Sequence, residues 1–203
     1  MLASKPTTSK KSASKPSAVA PGKDLPALTL VLGGVRSGKS RFAEGLILGA
    51  AESALYLATA EAGTSARDPE MRHRIEQHKT RRGKRWETIE PPLDLAAALQ
   101  DHCRTDRPIL VDCLTLWLSN ILAAGRDVAN EIRSLLDAVA GLEGTVIFVS
   151  NEVGLGVVPQ NALARQFCDH AGTLHQELAA QADQVVFVTA GLPLYLKTPT
   201  TDS

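Results

Sequence analysis

Leu28-Thr29-Leu30-Val31-Leu32-Gly33-Gly34-Val35-Arg36-Ser37-Gly38-Lys39-Ser40-Arg41-Phe42-Ala43-Glu44 is the stretch that decides the fold. Its first five residues form an apolar run that reads as a buried strand, and the residues from Arg41 to Leu48 read as a helix. Between them, Gly33 to Ser40 fill every position of a phosphate-binding P-loop. The glycines let backbone N–H groups wrap a phosphate, and the helix N-terminus adds partial positive charge. Lys39 is placed to reach the β- and γ-phosphates, and the Ser40 hydroxyl to hold Mg²⁺. The plain alternative is a glycine-rich turn between a strand and a helix. The complete motif in strand–loop–helix context argues instead for a bound nucleoside triphosphate.

The chain of 203 residues suits one α/β domain with a sizeable core. Strand-like runs fall near 28–33, 54–59, 109–113, 145–150 and 184–190. Helical stretches fall at 39–51, 68–82, 93–104, 114–140 (broken around Gly125) and 160–182. This alternation predicts a mostly parallel sheet with helices on both faces, whose ligand sits at the carboxyl ends of the strands. Residues 1–25 are rich in Ser, Lys, Ala, Pro and Thr and read as a disordered basic tail. Residues 26–203 read as the folded domain.

Lys+Arg and Asp+Glu number 22 each, and the part beyond the tail holds 17 basic and 21 acidic residues. That balance argues against a nucleic-acid partner. No apolar stretch approaches the roughly 18 residues of a membrane span. Cys103, Cys113 and Cys168 show no CxxC spacing, so the reading is a reducing, cytoplasmic compartment.

Several strand ends carry chemistry. Ile109-Leu110-Val111-Asp112 has the form of a Walker B strand, whose carboxylate holds Mg²⁺ directly or through water. A helix-capping role for Asp112 is the alternative. Thr59-Ala60-Glu61 follows the second strand at the same edge. Ser150-Asn151-Glu152-Val153-Gly154 follows the fourth, leaving Glu152 as a metal ligand, a base or a loop residue. The segment from Asp68 to Arg82 places His78 near Arg74, Arg81 and Arg82 at helical spacing. Those cations favour a neutral, nucleophilic imidazole and can compensate phosphate charge. A solvated Arg/His-rich helix face is the competing reading.

Together these pieces resemble the bifunctional adenosylcobinamide kinase / adenosylcobinamide-phosphate guanylyltransferase family of cobalamin biosynthesis. The resemblance is carried by Gly33 to Glu44, by Met71-Arg72-His73-Arg74-Ile75-Glu76-Gln77-His78-Lys79, and by Ser150 to Pro159 running on through Asn161, Ala164-Arg165, Phe167, Asp169 and Gly172. It spans roughly residues 28 to 192. It implies a P-loop NTPase fold with a RecA-like sheet, assembled as a homotrimer. It also implies two reactions. ATP or GTP phosphorylates the aminopropanol hydroxyl of adenosylcobinamide, and GTP then transfers GMP to that phosphate through a guanylylated histidine, matched here by His78. The nucleotide contacts it implies are Gly33, Gly34, Val35, Arg36, Ser37, Gly38, Lys39, Ser40, Thr59, Ala60, Glu61, Lys79, Thr80, Arg81, Arg82, Glu90 and Asp112, with Mg²⁺ on Ser40 and Asp112. The chain departs from the family pattern at Gln77, where some members carry a second histidine, and at His175, where Asn is expected. Two rival readings use the same loop: a P-loop kinase of another small alcohol, and a RecA-type nucleotide-binding assembly protein.

Overall fold

The computed structural model describes residues 25–60 and 83–199. The described elements, in chain order, are β1 (Leu28–Gly33), α1 (Lys39–Ala50), β2 (Ala54–Ala58), a 3₁₀ turn (Gly83–Arg85), β3 (Trp86–Ile89), α2 (Leu95–His102), β4 (Ile109–Asp112), α3 (Leu114–Ala123), α4 (Val128–Ala140), β5 (Val146–Asn151), α5 (Ala162–Gln181), β6 (Gln184–Thr189) and β7 (Leu192–Lys197). Seven strands form one sheet in the order β3-β2-β4-β5-β1-β6-β7. Every neighbouring pair is parallel except β6 and β7. The predicted mostly parallel α/β fold is therefore the observed one. The expected tail lies almost wholly outside the described residues, and the expected helix over 68–82 lies wholly outside them.

Parallel strands buried on both faces read as continuous apolar runs, and β1, β2, β4 and β5 do. Along β1, Leu30 and Leu32 enter one core, while Val31 enters the other. The first core packs the sheet against α2, α3, α4 and α5 through Leu99, Trp117, Leu135 and Leu178. The second packs it against α1 through Ala43, Leu46 and Ile47. Helices thus cover both faces, as the alternation required.

One expectation is met in detail and two strands were not read, each for a physical cause. The expected break around Gly125 is observed, splitting 114–140 into α3 and α4: Gly125 takes φ 66°, and Asp127 then caps α4 by accepting from the Asn130 N–H. Strand β3 was not foreseen. It has only four residues, of which Glu87 and Thr88 are exposed, so it carries no apolar run. Strand β7 was also unforeseen. It is an edge strand containing Pro193, with Leu192, Leu194 and Leu196 exposed. It follows a tight turn in which Ala190 and Gly191 take φ 51° and 78°, as a two-residue primed hairpin turn requires.

The topology places the chemistry. Strand β5 lies between β1, which feeds the phosphate loop, and β4, which ends in Asp112. Asp112 is level with Ala58 on β2 and Val149 on β5. Gly33 is level with Asn151 on β5 and Val188 on β6. All these residues lie at the carboxyl ends of parallel strands.

Candidate active site

The phosphate loop is a tightly constrained piece of backbone. Ser37 N–H donates to the Gly34 carbonyl at 3.2 Å, closing the turn. Arg36 takes φ 58° and Gly38 φ 97°, both left-handed. A side chain at Gly33 would begin 2.4 Å from the Val188 carbonyl and 2.6 Å from Ser37 Oγ. One at Gly38 would begin 3.2 Å from Gly191 Cα. Gly191 N–H donates to the Ser37 carbonyl at 2.8 Å, so the β6–β7 turn braces the loop from behind.

Helix α1 starts from Gly38 without a side-chain cap and without an acid in its first turn. Its leading N–H groups are thus left for an anion. Lys39 is 5% exposed, and its ammonium donates to the Gly34 carbonyl at 3.1 Å, within the loop. Ser40 is half-buried at the second helical position.

Asp112 projects to the α1 side of the sheet. It shares a strand face with Leu110, which belongs to the core under α1. The Tyr56 hydroxyl donates to Asp112 Oδ2 at 2.9 Å. The N-cap of α3 is Cys113, with no side-chain cap bond, so capping of that helix does not account for Asp112. Burial raises the Cys113 thiol pKa above its ordinary value, the Asp112 carboxylate raises it further, and Lys39 opposes them. That thiol stays protonated near neutral pH and is chemically quiet.

The remaining predicted residues divide. Thr59 is fully buried. Its hydroxyl donates to the Cys113 carbonyl at 2.7 Å and accepts from the Cys113 N–H at 2.8 Å. That reciprocal pair locks the end of β2 to the end of β4. Ala60 is half-buried just beyond it, and Glu90 is exposed just past β3, at the same edge. Val35 is exposed at the loop tip. His78, Glu61, Lys79, Thr80, Arg81 and Arg82 lie outside the described residues.

Two positioning groups, Asn120 and Tyr56, were not read from the sequence. Asn120 on α3 donates to the Thr59 carbonyl at 2.8 Å and the Pro92 carbonyl at 3.0 Å. Tyr56 reads in sequence as an ordinary apolar strand residue; its hydroxyl partner appears only when β2 and β4 pair. At the end of β5, Asn151 donates to Thr115 Oγ1 at 2.8 Å, and the Glu152 N–H bonds the Gly33 carbonyl at 3.0 Å. Glu152 also accepts from the Gly154 N–H, folding its carboxylate back onto its own loop. On the other sheet face, buried His175 Nε2 lies 2.7 Å from Ser150 Oγ. Burial lowers the His175 pKa below its ordinary value, against an opposing pull from Glu152, so the ring is neutral at pH 7. The departure at position 175 is therefore a satisfied core contact behind the site.

A cobinamide kinase / cobinamide phosphate guanyltransferase profile matches residues 29–196, which takes in the loop, Asp112 and every strand. The chain belongs to that family. It is 50% identical over 173 residues to the bifunctional adenosylcobalamin biosynthesis protein CobP of Pseudomonas aeruginosa, covering 83% of this chain and 96% of that protein. It is 39% identical over 185 residues to the bifunctional CobU protein of Salmonella typhimurium, covering 84% and 99%. Among solved structures it resembles the RadB recombinase, with a TM-score of 0.43 and 20% identity over 80% of this chain and 74% of that one. It also resembles the flagellar accessory protein FlaH of Methanocaldococcus jannaschii, with a TM-score of 0.48 and 14% identity over 86% and 80%. These likenesses are too distant to bear on activity.

Gly33→Ala places a Cβ against the Val188 carbonyl, which cannot move without opening the β1–β6 ladder. The variant should keep its fold and bind nucleotide at least about tenfold more weakly, a loss of roughly 1.4 kcal/mol. Titration calorimetry with GTP checks this, and wild-type affinity would show that the loop tolerates the added carbon.

Proposed function

We propose that this chain phosphorylates adenosylcobinamide with ATP or GTP and then transfers GMP from GTP to the resulting phosphate. The family match over residues 29–196 carries the reading. In the first reaction the acceptor hydroxyl attacks the γ-phosphorus. The bond from that phosphorus to the β-bridging oxygen breaks, and the hydroxyl proton leaves to solvent. In the second, a neutral His78 imidazole nitrogen attacks the α-phosphorus of GTP and pyrophosphate departs. An oxygen of the acceptor phosphate then attacks the same phosphorus, the P–N bond breaks, and adenosylcobinamide-GDP forms.

The described residues fit these demands. The N–H groups at the start of α1 and the Lys39 ammonium stabilise charge building on the phosphates. The Ser40 hydroxyl and the Asp112 carboxylate are hard oxygen donors on one face of the sheet, the set that Mg²⁺ prefers. The ion, bound there, would neutralise phosphate charge. Exposed Val35, Leu155, Val157 and Val158 rim the loops at this edge, which suits a bulky acceptor with apolar flanks. Glu61, Glu90 and the segment from Lys79 to Arg82 complete the guanine-nucleotide contacts in this reading.

Lys39→Ala and His78→Ala separate the steps. Lys39→Ala should lower both activities by a factor of about 10² or more, because one loop serves both. His78→Ala should abolish transfer of label from α-labelled GTP to the protein and with it guanylyl transfer, yet keep part of the kinase activity. Label that persists in His78→Ala, or maps to another residue, would reject the covalent step at His78. Absence of any label in the wild type would favour a simple kinase.

Asp112→Asn keeps the shape of the side chain and removes its charge. It should shift the Mg²⁺ dependence of turnover upward by roughly tenfold while nucleotide binding changes less. An unchanged Mg²⁺ titration would remove Asp112 from the metal site.

We also read the enzyme as a cytoplasmic homotrimer. No helix among the described residues is long and apolar enough to cross a membrane, and Cys103, Cys113 and Cys168 are free thiols. The exposed Leu192, Leu194 and Leu196 give apolar surface that an assembly would cover. Activity recovered in the cytoplasmic fraction should sediment at about three times the 21.6 kDa chain mass, and a monomer there would reject the trimer.

A further inference from the structure

The two proposed reactions attack phosphorus atoms at opposite ends of a triphosphate. Phosphorylation needs the γ-phosphorus presented to the acceptor, and guanylylation needs the α-phosphorus presented to His78. A single phosphate loop can serve both if the rest of the nucleotide leaves it in two directions.

The structure offers two directions. In the sheet order, β5, β4, β2 and β3 lie to one side of β1, and Asp112, Thr59, Ala60 and Glu90 end those strands or follow them. Strands β6 and β7 lie to the other side. There, against the same loop, is a cleft of about 540 Å³, within the size range of small-molecule sites. Its floor is the loop itself, from Arg36 to Gly38, and its walls are one face of α1 and the β6–β7 hairpin. Phe42 and Tyr195 are half-buried against the core and line it, so both present fixed aromatic surface. Arg36 and Arg41 are exposed cations on its lining. Gly191, bonded to Ser37, ties the hairpin wall to the loop. A mostly apolar cleft with two aromatic rings and two guanidinium groups, opening from a phosphate cradle, has the chemistry of a purine nucleoside site.

We propose that this cleft between α1 and the β6–β7 hairpin takes the purine base and ribose of the triphosphate used in the phosphorylation step. The inference rests on the two-reaction reading above. In it, the nucleotide for guanylyl transfer runs toward Asp112 and Glu90, and the nucleotide for phosphorylation runs toward Tyr195. Both place their phosphates in the one loop.

Gly45 supplies the test. It lies on the cleft-lining face of α1, is exposed, and a Cβ built on it meets nothing within 4 Å. Its backbone is helical, so a side chain there is not strained and replaces glycine favourably. Gly45→Trp should fill the cleft and raise the KM for ATP or GTP as phosphoryl donor by roughly tenfold or more, with a much smaller effect on the KM for GTP in guanylyl transfer. Gly45→Ala, which adds one carbon, should change the donor KM far less than Gly45→Trp does, as filling by size requires. Thermal unfolding of both variants checks that the fold is kept. Photolabelling with 8-azido-ATP should mark the peptides holding Phe42 or Tyr195. Equal KM changes in the two reactions, or label confined to residues 83–112, would overturn the second nucleoside site. Wild-type protein lacking one of the two activities would instead defeat the two-reaction reading itself, so the two failures are distinguishable.

Discussion

At Gly33 the strand that carries the phosphate loop meets its neighbour with no room for a side chain. The Val188 carbonyl stands 2.4 Å from where a Cβ would begin, and Ser37 Oγ stands 2.6 Å from it. This close approach lets the chain leave β1, turn through Arg36 and return into α1 within five residues. It also fixes the loop against β6, and the Gly191–Ser37 bond extends that support into the β6–β7 turn. The rest of the site is arranged around a loop whose N–H groups point one way because its other side is packed. A looser loop would have to be ordered by each incoming phosphate, at a conformational cost of roughly 1–2 kcal/mol per residue.

The acid is fixed as firmly as the loop, by different means. Asp112 ends a strand buried between β2 and β5. Tyr56 holds its carboxylate from β2, and the Thr59–Cys113 pair ties the following peptide to the same strand. Asn120 then fastens Thr59 to the Pro92 segment. None of these groups needs to touch a nucleotide to matter. Charge that must meet a developing phosphate charge is effective when it is in place beforehand, because reorganisation during reaction would offset the gain. Thr59 illustrates the point: it sits among the residues implied to bind nucleotide, yet its hydroxyl is committed to the backbone of Cys113.

The parts of this architecture that were legible are those in which a local pattern forces a conformation. The β1–loop–α1 unit is one, since glycines, Lys39 and Ser40 stand at fixed offsets between an apolar run and a helix. The Asp112 strand is another, because the apolar run Ile109 to Val111 ending in an acid marks a buried strand and its end, although the role of the acid stayed open between metal binding and helix capping. Strands β3 and β7 were not legible, since each sits at a sheet edge and lacks the run of buried residues that marks β1 or β5. Tyr56, Asn120 and Gly191 were missed for a related reason. Their partners are 56, 61 and 154 residues away, at Asp112, Thr59 and Ser37, so pairing of distant strands and not local sequence gives them their roles. The resemblance supplied what periodicity could not, namely the assignment of His78 among five histidines.

The sheet order also explains why one domain can serve two reactions without two phosphate loops. A parallel sheet has one chemical edge, and a strand in its interior has neighbours on both sides. Here β1 lies third from one end of the sheet and fifth from the other. On the longer side stand the carboxylates of Asp112 and Glu90; on the shorter side stand Tyr195 and the turn at Gly191. The longer side therefore offers charge for a metal and for polar base edges, and the shorter side offers aromatic surface. A triphosphate bound at the middle meets different chemistry according to which way its nucleoside turns. The outermost strand β7, with Tyr195, is what gives the shorter side a wall.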